Sequence, residues 1–179
     1  MILNITALVA VVLATALPAA SLPAYKIPAA LKALAELDNG CFYPANYTVQ
    51  NFSVWTPAVG SNQTEIVDFE FTDKDTGIDT LCHRDAASKN VGPEGLNPRW
   101  ACDNSTVTFV WEPSMNRLTM IEKACPQGGN SDFEASGSVR PSLTCVKTEQ
   151  TSSFGPGSHC LSIQESIDGK FTSLQPTPN

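Results

Sequence analysis

Six cysteines, Cys41, Cys82, Cys102, Cys125, Cys145 and Cys160, follow an apolar leader that carries no charged side chain, and this combination constrains the fold more than any other feature. An even number of cysteines in an exported chain reads as three structural bridges rather than reactive thiols. No two of them stand at the close spacing of a zinc-ligand pair or a redox motif, so no metal and no cofactor is expected. Spacing alone leaves the connectivity open.

The leader, Met1 to Ala20, has an apolar centre from Ala7 to Ala14, the length of a signal-peptide core and too short to span a bilayer. Small residues from Ala14 onward place cleavage between Ala16 and Ser21, although a basic n-region is missing. No later apolar run reaches membrane length, and the last residues lack a lipid-anchor signal. The expected organisation is a signal peptide (1–20), an N-terminal helix, arm or pro-segment (21–40), one β-domain (41–165) and a tail (166–179). A secreted, extracellular location follows. Four sequons, at Asn46, Asn51, Asn62 and Asn104, fit a glycosylated surface.

A net charge of −7 and a pI near 4.7 argue against nucleic acid and anionic membrane as partners, because both reward clusters of Lys and Arg. Neutral or basic partners are favoured instead.

Leu31, Leu34 and Leu37 at helical spacing, stopped by Asp38-Asn39-Gly40, predict one short helix, either packed on the domain edge or free as an arm. From Tyr47 the period changes to two. Val67, Phe69 and Phe71, then Val107, Phe109 and Trp111, then Phe133, Ala135, Gly137 and Val139 alternate with mostly polar residues, as half-buried strands do. Tyr47 and Val49 differ in parity from Phe52 and Val54, so a bulge near Gln50-Asn51 is expected. The segment 86–98 reads as a long loop, and the residues after Gln164 as one weak strand or arm before a frayed tail.

The candidate chemistry is thin. Asp75-Thr76-Gly77 matches the short aspartic-protease signature, but a second copy is absent and the triplet suits a hairpin turn between strands. Asp73, Asp75 and Asp79 resemble an incomplete calcium loop, for which a solvated acidic turn is the preferred reading. His83 and His159 each adjoin a cysteine, and no nucleophile elbow or phosphate loop accompanies them. No catalytic residue is expected, and the chain is read as a binding protein rather than an enzyme. Trp100 and Trp111 are assigned to the core, which leaves Trp55 as the one candidate exposed aromatic for stacking a sugar or small ligand.

Taken in order, Tyr47-Thr48-Val49-Gln50-Asn51-Phe52, Phe69-Glu70-Phe71, Thr80-Leu81-Cys82, Trp100-Ala101-Cys102, Thr108-Phe109-Val110-Trp111 and Leu118-Thr119-Met120 resemble the fungal secreted β-barrel family of the Alternaria major allergen and hypersensitive-response elicitor proteins. The resemblance covers roughly Cys41 to Ile163. It implies an all-β fold, a compact antiparallel barrel or sandwich stapled by three disulfides. It further implies a fungal effector or elicitor that acts on plant defence by binding a plant extracellular protein or glycan. A carbohydrate- or small-ligand-binding module of the fungal wall or apoplast is the alternative. On the same resemblance Cys82 pairs with Cys102 and Cys145 with Cys160, each bridge contributing about 3 kcal/mol in the chain-entropy model. Cys41 falls where some relatives carry a cysteine that links two chains. Here the additional Cys125 gives it a partner within the chain, so a monomer is expected and a dimer is the alternative.

Overall fold

Period-two alternation is realised as two antiparallel sheets facing each other. The computed structural model describes residues 23–37, 41–125, 133–149 and 153–178. The leader expected at 1–20 and the helix stop at 38–40 lie outside the described residues.

Chain order runs from helix α1 (Ala29–Leu37) through strands β1 (Asn46–Pro57), β2 (Ile66–Asp73), β3 (Ile78–Arg84), β4 (Trp100–Ala101), β5 (Val107–Glu112) and β6 (Arg117–Lys123). It continues through β7 (Phe133–Val139), β8 (Leu143–Thr148), β9 (Gly157–Ser162), β10 (Ser166–Lys170) and β11 (Ser173–Pro176). The first sheet has the order β3-β2-β1-β9-β8, with β10 also on β1; the second has the order β11-β7-β6-β5-β4. Of the two all-β shapes expected, the structure is the sandwich: the sheets do not join into a closed barrel.

The bulge lies where the parity change requires it. Asn51 adopts φ 55°, and the β1–β2 register shifts between Gln50 and Ser53. It also divides the other edge of β1, which pairs with β10 from Asn46 to Gln50 and with β9 from Ser53 to Pro57. With the bulge in place, Val49, Phe52 and Val54 all point inward, together with Val67, Phe69 and Phe71 of β2. They meet Val107, Phe109 and Trp111 of β5 and Leu118 and Met120 of β6. Phe69 packs edge-on to Phe109 at 4.9 Å and Phe52 tilts against Trp111 at 5.0 Å, the geometry that aromatic quadrupoles favour. Each such ring stabilises the sandwich by about 1.5–3 kcal/mol through removal from water.

Three disulfides close the fold: Cys41–Cys125, Cys82–Cys102 and Cys145–Cys160. The second ties β3, at the edge of one sheet, to the bridge beside β4, at the edge of the other, and both of its cysteines are buried. The third spans the β8–β9 hairpin, where Cys145 is exposed. Limiting reductant followed by alkylation is therefore expected to label Cys145 and Cys160 before Cys82 and Cys102, because a thiolate must reach the sulfur it attacks.

One expectation is revised and one alternative is decided. The residues after 165 are structural rather than a tail: Ile167 and Phe171 belong to the core, β10 pairs with β1, and β11 pairs with β7. The crossing from one sheet to the other is tight enough that a Cβ on Gly137 would overlap the Lys170 carbonyl. Of the two arrangements open to the N-terminal helix, the packed one is realised. Leu31 of α1 is buried with Ala124 and Cys125, and Ile27, Tyr43, Phe133 and Leu174 pack around them.

Candidate functional site

Three places on this scaffold gather polar or exposed groups in ways the fold does not require. The first is the outward face of the six-stranded sheet. Its register lines Thr144, Leu161, Ser53, Asp68 and His83 into one row across five strands. The neighbouring row sets Glu70 opposite Leu81. Leu81 is 56 % and Leu161 50 % exposed, high for leucines in a rigid sheet. Around Leu81 two adjoining depressions, of about 480 and 450 Å³, are bounded by the carboxylates of Asp68, Glu70, Asp79 and Asp103. Asn51, from the bulge, reaches into the first, and its amide donates to Glu70 Oε1 at 3.1 Å.

His83 is the basic group that lines this depression. Its Nδ1 hydrogen-bonds Asp68 Oδ1, and its Nε2 lies 3.4 Å from Asp85 Oδ2. The bond to Asp68 raises its pKa above the ordinary imidazole value, with Asp85 acting in the same direction. Both ring nitrogens of His83 face carboxylates, Nδ1 that of Asp68 and Nε2 that of Asp85.

The second place is a cleft of about 350 Å³ on the outer face of the other sheet, between loop residues 91–93 and Thr177–Pro178. In its wall Arg99 Nη1 donates to both oxygens of Glu134, at 2.9 and 2.8 Å, and Gln175 Nε2 donates to Glu134 Oε1 at 3.1 Å. Thr106, Thr108 and Lys123 complete the polar lining.

The third place is interior. Asp73 continues the inward parity of Val67, Phe69 and Phe71, and Glu122 that of Leu118 and Met120, so both carboxyls point into the mouth of the sandwich and are 0 % exposed. Asp73 Oδ1 accepts the backbone N–H groups of Asp75 at 2.7 Å and Thr76 at 3.2 Å. Taken as ionised, Asp73 Oδ2 and both Glu122 oxygens find no donor. The two carboxyls are neighbours, and a protonated Glu122 can donate to Asp73. Burial, reinforced by the neighbouring Asp73, pushes Glu122 up to about 9; burial raises Asp73 to about 6 against the opposing pull of its two N–H donors.

The residues singled out from sequence fall as follows. Trp55 is corrected: it is 2 % exposed, covered by Phe154, and its Nε1 donates to Thr148 Oγ1 at 3.0 Å, so it offers no stacking surface. Trp111 is core, and Trp100 is half-buried beneath the Arg84 guanidinium at 4.8 Å. Asp73 is not in a solvated turn, since it faces inward while Asp79 is exposed; Asp75-Thr76-Gly77 does form the β2–β3 hairpin turn, with Gly77 at φ 71°. Among the described residues no group of three or more His, Cys, Asp or Glu is placed to hold a metal ion. Asn51 and Asn62 are exposed, whereas Asn46 and Asn104 are half-buried. Asn104 Oδ1 accepts from Thr106 N at 3.0 Å and Thr106 Oγ1 at 2.7 Å, a local turn that orders its sequon.

No family model and no curated protein matches the chain. Among solved structures, the crystal structure of Alternaria alternata allergen Alt a 1 is similar at TM-score 0.51 and 13% identity, over 76% of this chain and 92% of that one. A second crystal structure, of the Alternaria alternata major allergen Alt a 1, gives TM-score 0.49 and 13% identity over 75% and 95%. What the chain shares with Alt a 1 is the fold. At that identity the Alt a 1 likeness reaches the sandwich and not the side chains of the three places described above.

Proposed function

We propose that the chain is a secreted, non-enzymatic recognition protein, an effector or elicitor that binds a basic plant extracellular protein through the outward face of its six-stranded sheet. The observation that carries this reading is Leu81, more than half exposed on a rigid sheet and ringed by Asp68, Glu70, Asp79 and Asp103. An apolar anchor inside a charged rim is how protein interfaces concentrate affinity, and the net charge of −7 matches a cationic partner. The sequence resemblance to fungal elicitor proteins supplies the plant setting, and three disulfides fit an oxidising compartment.

Leaf infiltration tests it, with oxidised protein beside a reduced and alkylated control and a Leu81→Lys variant. Cell death or defence-gene induction is expected only from folded protein, with the Leu81→Lys variant needing about tenfold more, the loss of one interface anchor. An unchanged response from Leu81→Lys would move the contact off this face; silence from the folded parent would remove the effector reading. The same face carries a modification prediction. A glycan on Asn51 breaks its bond to Glu70 and covers Leu81, so enzymatic deglycosylation of protein from a glycosylating host is expected to increase the response.

The second reading, a carbohydrate- or small-ligand-binding module, is favoured by the cleft beside Arg99 and Glu134. Its size is at the low end of ligand pockets, and its donors and acceptors suit a polyhydroxylated ligand. Calorimetric titration with wall oligosaccharides, abolished by Thr108→Arg, is the outcome it requires.

A further inference from the structure

Asp73 and Glu122 occupy a position where an ordinary sandwich would place two apolar side chains. They close the inward columns of β2 and β6, at the end of the core that the N-terminal arm covers. Tyr25 of that arm packs against the core, and its hydroxyl donates to the Pro44 carbonyl at 2.6 Å. The titratable groups facing the two carboxyls are Tyr25 from the arm and Asp75 from the hairpin turn, with Tyr43, from the segment before β1, beside Tyr25. Thr76 adds a buried hydroxyl. Among the described residues none of these groups carries a positive charge, so a proton is what neutralises the pair in place.

We propose that Asp73 and Glu122 form a proton-held latch for the N-terminal arm, closed while they share one proton and opened when that proton leaves. With the proton present, the pair holds one negative charge, which the Asp75 and Thr76 amides partly satisfy. Without it, two carboxylates face each other and Asp75 at the end of an apolar core, and hydration becomes the one way to relieve them. The group that excludes water there is the arm. The chain yields at this point because the arm is held by one short helix and a small cluster around Leu31, whereas the sheets are held by full ladders. Opening does not release the segment. Cys41–Cys125 fixes its root, so the arm swings about residue 41 and bares the end of the core that Tyr25 had covered.

Hydrogen–deuterium exchange of the oxidised protein between about pH 6 and pH 10 tests this. Protection factors are used, since they divide out the intrinsic dependence of exchange on pH. Protection across 23–37 is expected to fall by up to about tenfold per pH unit as the shared proton leaves, and to stay well below that of peptides from β5 and β6, which exchange only through global unfolding. Glu122→Gln is expected to hold the arm's protection constant over the same range. If that variant does not fold, Asp73→Asn serves, since it removes the repulsion from the other side. Constant protection in the parent chain, the same loss in the variant, or protection of the arm equal to that of the sheets at high pH would each overturn the latch.

Discussion

Phe171→Ala is expected to lower the unfolding free energy by about 3–5 kcal/mol, the range for an aromatic ring removed from a packed core. The ring is 0 % exposed, packs on Tyr47 at 4.8 Å, and belongs to the same cluster as Phe69 and Phe109. Its backbone is committed as well: Phe171 N–H donates to the Ala45 carbonyl and Thr172 N–H to the Ser136 carbonyl, so one dipeptide joins the two sheets. A loss of that size is a large share of the about 5–15 kcal/mol that a domain commands. A chain ended at Glu165 loses β10, β11 and this crossing together, and is expected to yield no cooperative unfolding transition at all. Denaturant unfolding of the variant and circular dichroism of the truncation decide the matter; a change of under 1 kcal/mol for Phe171→Ala would mean that the ring is not part of the core.

Raising the pH from about 5 to about 9 is expected to destabilise the protein by several kcal/mol, and Glu122→Gln to remove most of that dependence. The direction follows from which state holds the proton. In the unfolded chain Glu122 releases its proton at 4.5, whereas in the folded chain burial and Asp73 keep it to about 9. Between those limits the folded state binds more protons, so stability falls as pH rises, by up to about 1.4 kcal/mol per unit. Asp73 adds the same sign over a lower window, from 3.8 to about 6. The contribution is therefore fully present only below the unfolded values of 3.8 and 4.5 and gone above about pH 9. Urea unfolding at pH 5, 7 and 9 measures it directly. Stability that is level or rising over that range would mean the two carboxyls do not hold a proton between them in the fold.

Much of the scaffold is legible in the residues themselves. Alternation identified the cores of β2, β5 and β7, and the parity change between Val49 and Phe52 located the bulge, because a strand that buries one face must add a residue to change phase. The same rule contained more than it was asked for. Asp73 and Glu122 continue inward columns, but a carboxylate in that register reads as the start of a turn, and what allows it inside is a partner many residues away. Ile167, Gly169 and Phe171 also alternate. Gly169 interrupts the apolar pattern because the Tyr47 ring lies where its Cβ would be, a constraint visible only in three dimensions. Trp55 was misread for a similar reason. Its strand does point it outward, and only the return of the chain at Phe154 and Thr148 covers it. The leucine on the sheet face was equally silent in sequence, since a strand residue of outward parity becomes notable only when the surface around it is known to be acidic.

The divided partner edge of β1 bears on the order in which the molecule can be made. Its first half pairs with a strand that begins at Ser166 and its second half with one that begins at Gly157. A chain delivered from its N-terminus therefore presents β1 and β2 as an open hairpin with one hydrogen-bonding edge bare until nearly the whole polypeptide has emerged. Pairings this distant in sequence form late, and an edge left waiting is a template for association with other chains. For most of its synthesis the chain thus carries an open pairing edge, fully covered only when β10 arrives.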